Sequence, residues 1–200
     1  MPKLSQNLVV GRCPHCSVAN PNLFKQHQLD TNDHEGTFPR KWYVYTCGTC
    51  GGVVTAWAID HNMEVEEYFP SAKAVKEEIP ERPRAFLQQA LESLNAPSGA
   101  VMLAASAVDA MLKLKNYTDG SLYSRIENAA ADGAITKDMS NWAHQVRLDA
   151  NDQRHADPAA SLPSSNDASR SIDFALTLAE ILFVLPSRVQ KGIEQSRRSG

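Results

Sequence analysis

The sequence predicts an α+β protein in two parts: a small N-terminal ribbon of short antiparallel strands, then an all-α, up-and-down helical bundle. Three observations carry this. Residues 1–70 hold 8 of the 14 aromatic residues, all 4 cysteines and 3 alanines, whereas residues 71–200 hold 22 alanines and no cysteine. Aromatic and β-branched residues cluster between positions 41 and 59, as strands favour. Beyond position 84, apolar residues recur at helical spacing among good helix formers. The boundaries that follow are a ribbon over 1–62, an extended linker over 63–83, a bundle over 84–186 and a polar basic tail over 187–200.

Within the ribbon, Lys41-Trp42-Tyr43-Val44-Tyr45-Thr46 reads as a strand. Gly51-Gly52 supplies a turn, and Val53-Val54-Thr55-Ala56-Trp57-Ala58-Ile59 the returning strand. Residues 20–30 add a third strand, and the polar stretch 26–40, with Asn32-Asp33 and Gly36, reads as a loop. In 63–83, Glu64, Glu66 and Glu67 precede Pro70, Pro80 and Pro83. Proline lacks the backbone donor that helices and sheets use, so this stretch is expected to run extended as a solvated linker.

Five helices follow. The first spans 84–94 and breaks at Asn95-Ala96-Pro97. The second, 99–115 with Ser98 as its cap, is apolar on nearly every side, which suits the centre of a bundle. Leu122, Ile126 and Ala129 mark the third, closed by Asp132-Gly133. Thr136 opens a fourth, on which Trp142 reads as core and His144 as surface. After a loop at 157–163, Ser164-x-x-Asp167 caps a fifth, whose apolar body 172–185 stops at Pro186. The tail carries Arg188, Lys191, Arg197 and Arg198.

The 200 residues include 20 Lys and Arg against 23 Asp and Glu, a net charge of -3, with 42% hydrophobic residues. That balance excludes collagen, a wholly disordered chain and a multi-span membrane protein. It gives no global basic field, so RNA or DNA would be met only through a local patch. The first ten residues offer only Leu8-Val9-Val10 as an apolar run, too short for a leader. The longest apolar stretch is interrupted by Asp173, Thr177 and Glu180, short of a bilayer span. A soluble, cytoplasmic protein with no membrane partner is expected.

Cys13-Pro14-His15-Cys16 and Cys47-Gly48-Thr49-Cys50 are two Cys-x2-Cys pairs separated by 30 residues. Zinc prefers four soft ligands in a tetrahedron, and a two-residue gap lets a tight turn aim both thiolates at one ion. A redox Cys-x2-Cys normally opens a helix in a βαβ unit, and disulfides are rare in a reducing cytosol. One structural zinc on Cys13, Cys16, Cys47 and Cys50 is therefore expected, with no position left for water. His15, His27 and His34 read as surface residues. Arg40, Lys41, Trp42, Tyr43 and Tyr45 could stack bases and meet phosphates, but the preferred reading packs these aromatics on the ribbon's apolar side.

Arg147, Asn151 and His155 are spaced by four residues, so on one helix they fall within about 80° of each other, with Arg154 beside them. Asp109 stands alone among apolar residues, where an unpaired carboxylate is costly. An ion pair to Arg147, extended by Asn151 and His155, is expected to satisfy it.

Together these residues resemble the bacterial and phage "domain of unknown function 4145" proteins of the HEPN-like helical superfamily. The resemblance rests on the four cysteines, Tyr68-Phe69-Pro70, Asp109, the Arg147, Asn151, His155 series and Phe183-Val184-Leu185-Pro186, across most of residues 10–190. It implies a HEPN-like bundle that forms a homodimer and accompanies restriction or phage-defence systems. In ribonuclease members of the superfamily an Arg-x4-6-His motif meets its copy across the dimer and cleaves RNA without metal. Here seven residues separate Arg147 from His155, and Ala105 stands where the family often has Arg. The expected function is a binding or adaptor module in nucleic-acid transactions. The alternatives are a metal-independent endoribonuclease with Arg147, Asn151 and His155 as catalytic residues, and a protein-interaction scaffold.

Overall fold

The computed structural model describes residues 2–59, 63–155 and 161–198. Part of the loop expected at 157–163, the end of the expected ribbon at 60–62, and residues 199–200 of the expected tail lie outside the described residues. The chain divides into two compact units, Met1–Lys73 and Ala74–Gly200.

The first unit is a five-stranded antiparallel meander of β1 (Asn7–Leu8), β2 (Leu23–Thr31), β3 (Arg40–Cys47), β4 (Val53–Ile59) and β5 (Val65–Phe69), paired in chain order. Tyr45 lies opposite Val54 and Tyr43 opposite Ala56. Alternation therefore turns Tyr45, Val54, Ala56 and Ala58 to one face, where they are buried with Leu4, Leu8, Leu23 and Val65. The Tyr45 hydroxyl donates to the Ser5 carbonyl at 3.1 Å. The opposite face sets Leu29, Trp42 and Trp57 side by side, with the tryptophan ring centres 5.9 Å apart. The aromatics thus divide: Tyr43 and Tyr45 pack inward as expected, and Trp42 does not.

Two sequence expectations change here. The loop expected over 26–40 is shorter, because β2 runs on to Thr31, its polar residues held by pairing such as Gln28 with Tyr43 and Asp30 with Lys41. The linker expected over 63–83 contains β5. Val65 and Tyr68 pair with Ala58 and Ala56, while Glu66 and Glu67 stay exposed on an edge strand, where charge guards against further pairing.

The second unit comprises α1 (Glu81–Glu92), α2 (Pro97–Leu114), α3 (Leu122–Ala131), α4 (Lys137–His155), α5 (Ser165–Ala179), a π-helical turn (Glu180–Val184) and α6 (Leu185–Arg198). At the centre, α2 buries Val101, Ala104, Val108, Met111 and Leu112 among α1, α3, α4 and α5. It is long and apolar enough to cross a membrane by length and composition, and half of it is buried inside the bundle, which accounts for that composition. Ser98 does not cap it. Pro97 opens the helix, its fixed φ suiting the first turn, and the Ser98 hydroxyl donates to Gln153 Oε1 on α4 at 2.8 Å.

The capping box of α5 forms as expected: Ser164 and Asp167 exchange side-chain and backbone bonds. The Ser164 hydroxyl and N–H hold the Asp167 carboxyl below its usual range. The helical run does not stop at Pro186 as expected. The π-helical turn leads directly into α6, placing proline in a first turn where its missing donor is tolerated. The expected tail is therefore helical, with Arg188 paired to Glu180 at 3.3 Å and Lys191 to Glu78 at 3.5 Å.

Candidate functional site

The two Cys-x2-Cys turns are built alike. Ser17 N–H donates to the Cys13 carbonyl and Cys13 N–H to that of Val18, both at 3.0 Å. Gly51 N–H donates to the Cys47 carbonyl and Cys47 N–H to that of Gly52, both at 2.9 Å. The residue after the second cysteine is left-handed in both, with φ 56° at Ser17 and 73° at Gly51. Each turn thereby folds back and aims both of its sulfurs one way. The four Sγ atoms lie within 4.8 Å of one another, Cys13 and Cys50 at 3.9 Å. A tetrahedral ion about 2.3 Å from each sulfur needs sulfurs about 3.8 Å apart, so this donor set could hold a metal ion.

Burial pushes the Cys16 thiol up to about 12 and raises that of Cys50. At Cys47 burial is outweighed by the N–H groups of Cys50 and Thr49, which bring the thiol down to about 7. A cation at the centre would supply the counter-charge that thiolates at the buried Cys13 and Cys47 otherwise lack.

His15 stands outside the sulfur cluster. Its Nε2 bonds to the Val53 carbonyl at 2.8 Å, and its ring lies against Gly52. A Cβ at Gly52 would meet His15 Cδ2 at 2.4 Å and its Cβ at 2.9 Å. Gly52 is therefore required for close approach, and Gly51 for its positive φ. Gly52→Ala is expected to destabilise the sheet by about 1–3 kcal/mol, the usual range for overpacking. Melting followed by tryptophan fluorescence checks this, with Gly11→Ala, which meets open space, as the control. His27 is exposed, and His34 is exposed beside Glu35, as surface histidines should be.

In the second unit, α1, α2, the start of α3 and the end of α4 surround a cavity of about 680 Å³. Asp109 on α2 enters it, but its partners differ from those expected. It accepts from Arg125 Nη1 at 2.6 Å and lies 2.6 Å from Lys113 Nζ. Lys113 is one helical turn along α2, and Arg125 is braced by the Thr118 and Gly120 carbonyls. Both are thereby held closer to the carboxylate than Arg147. The Arg147 guanidinium instead lies over the Tyr123 ring at 5.5 Å, and its Nε is buried with no hydrogen-bond partner.

Asn151 and Arg154 also line the cavity, whereas His155 is exposed and not among its lining residues. Helical rotation explains the split: from Arg147, Arg154 is turned about -20°, Asn151 about 40° and His155 about 80°. Five cations, from Arg82, Lys113, Arg125, Arg147 and Arg154, face the single carboxylate of Asp109. Among the described residues, Arg82, Arg147 and Arg154 have no carboxylate partner.

Behind Tyr123, the His144 ring stacks at 4.6 Å between centres, and its Nε2 bonds to Glu127 Oε1 at 2.8 Å. This bond and one from Ser140 hold the Glu127 carboxyl below its usual range. The expected roles on α4 are exchanged: the His144 side chain is only 15% exposed, while Trp142, packed on Phe174, is 41% exposed. Of the cavity residues that sequence reasoning missed, Lys113 had a signal, four residues after Asp109 on the same helix. Arg82, Tyr123 and Arg125 had none, since they arrive from other elements.

The family model described as "Domain of unknown function (DUF4145)" matches residues 88–196. No curated protein and no solved structure matches the chain.

Proposed function

We propose, from the premise that the chain belongs to the DUF4145 family, that it is a binding or adaptor module for nucleic acid with a zinc-stabilised ribbon. The observation that carries this is the cavity with five cations against one carboxylate. Arginine guanidinium groups without a protein carboxylate suit phosphate oxygens, which they meet in bidentate pairs. Since His155 is not among the cavity residues, the arrangement favours holding a phosphate over cleaving beside it. Cys13, Cys16, Cys47 and Cys50 would hold zinc, which when bound cross-links the two turns and leaves no coordination position for catalysis. Homodimerisation and a role in phage defence or restriction belong to this reading through the family resemblance.

Labelled single-stranded RNA, titrated against the full chain at several salt concentrations, tests it. Three free arginines should give a slope of log K on log salt near -2, at about -0.7 per phosphate contact. Arg154→Ala should reduce that slope by one contact, with the RNA left intact. Cleavage lost in His155→Ala would establish the ribonuclease instead, and absence of salt-dependent binding would leave the scaffold.

A further inference from the structure

An antiparallel sheet with one face in water normally alternates apolar with polar side chains, but this sheet is apolar on both faces. Its inner face is buried with Leu4, Leu8 and Leu23. The opposite face carries Phe24, Leu29, Trp42, Val53, Trp57 and Phe69, of which Leu29 is 49%, Val53 50% and Phe69 43% exposed. So large an apolar patch marks an interaction surface. We infer that it docks on the same face of a second copy of the chain, so that two sheets close into a sandwich. The inference is separate from the nucleic-acid reading, and either one stands if the other fails.

Three features of the face select a second copy as its cover. The first is a dry, ring-rich centre. The Trp42 ring centre lies 5.9 Å from that of Trp57 and 6.4 Å from that of Phe69. The Trp42 indole N–H donates to Thr31 Oγ1 at 2.9 Å, and the Thr55 hydroxyl to the Phe69 carbonyl at 3.4 Å. Both donors are satisfied within the chain, so an apolar cover orphans neither. The second feature is charge. Among the paired positions of this face, the Lys, Arg, Asp and Glu side chains are Arg40 and Glu67 alone. Arg40 lies over the Trp57 ring at 4.9 Å, and Glu67 is the cross-strand neighbour of Trp57. Neither has an ion-pair partner among the described residues. A nucleic-acid strand calls for an excess of cations, which this face lacks. One cation and one anion instead match the anion and cation of an identical face across a two-fold axis. The third feature is area. Four strands about 4.8 Å apart and about seven residues long, at about 3.4 Å each, span about 450 Å² in projection. Two copies cover about 900 Å² in projection and more as accessible surface, which reaches the roughly 1,000 Å² of a specific interface.

The experiment measures the mass of the full chain by sedimentation over a dilution series, beside Leu29→Glu, Arg40→Glu and Glu67→Arg. All three positions are exposed, so the substitutions leave the inner core untouched. Each variant should sediment at half the mass of the unaltered chain, with its circular dichroism unchanged. A like-charged pair in place of each contact between Arg40 and Glu67 should weaken association about a hundredfold. Mixing Arg40→Glu with Glu67→Arg should restore the full mass, because the acids of one variant meet the bases of the other. A bundle that also dimerises would take these masses from four chains to two rather than from two to one, and the halving still reads the sheet. Equal masses for the unaltered chain and all three variants would overturn the inference. So would quenching of the tryptophans by single-stranded RNA at the mass of Leu29→Glu, which would give the face to nucleic acid.

Discussion

Replacing Cys47 by serine is expected to unfold the five-stranded sheet and leave the helices standing. Cys47 is buried at the end of β3, where the second Cys-x2-Cys turn begins, and its sulfur is one of four within 4.8 Å. Among the described residues the sheet's core is a cluster of eleven buried side chains, of which Tyr45, Leu8, Leu23 and Val54 are the largest that are fully buried. So small a core would depend on a metal held by the four cysteines, and structural zinc contributes about 10–16 kcal/mol of binding free energy in small zinc domains. In the variant, zinc per chain should fall from one to none. Trp42 and Trp57 should lose their packed fluorescence, while helical circular dichroism persists. Acid should act in the same direction, because protons compete with the metal for the thiolates: sheet stability falls as pH falls. Zinc stoichiometry unchanged in Cys47→Ser would remove the metal assignment.

What could be read from the sequence was what short spacing controls. The Cys-x2-Cys pairs, the strand Val53–Ile59, the capping box at Ser164 and the central place of α2 each depend on residues within a few positions of one another. What escaped depends on partners elsewhere. The glutamates of β5 looked like a linker because the edge strand bulges between Val65 and Glu67, which leaves both Glu66 and Glu67 in water. Pro186 looked like a stop because the π-helical turn before it has no pattern of its own. The polar stripe was half legible: Arg147 and Asn151 reach the cavity, but an eight-residue drift turns His155 away. Asp109 announced its need for a cation, and nothing in the spacing announced Arg125, sixteen positions along and braced by loop carbonyls.

That same carboxylate carries the largest expected effect in the helical unit. Asp109→Ala leaves Arg125, only 13% exposed, with the carbonyls of Thr118 and Gly120 but no counter-charge. Removing one partner of a fully buried pair costs about 3–5 kcal/mol. Asp109 is 25% exposed and Lys113 reaches solvent, so about 2 kcal/mol is the scale here, a fall in Tm of about 5–10 °C. The variant also raises the cavity's positive excess by one, so phosphate should raise its Tm more than that of the unaltered protein, by linkage to the native state. Arg147→Ala separates the observed arrangement from the Asp109–Arg147 pair expected of the sequence. Because Arg147 has Tyr123 rather than Asp109 as its neighbour, its loss should spare most of the stability and remove the phosphate response. Equal destabilisation by Asp109→Ala and Arg147→Ala would instead point back to a direct ion pair between them.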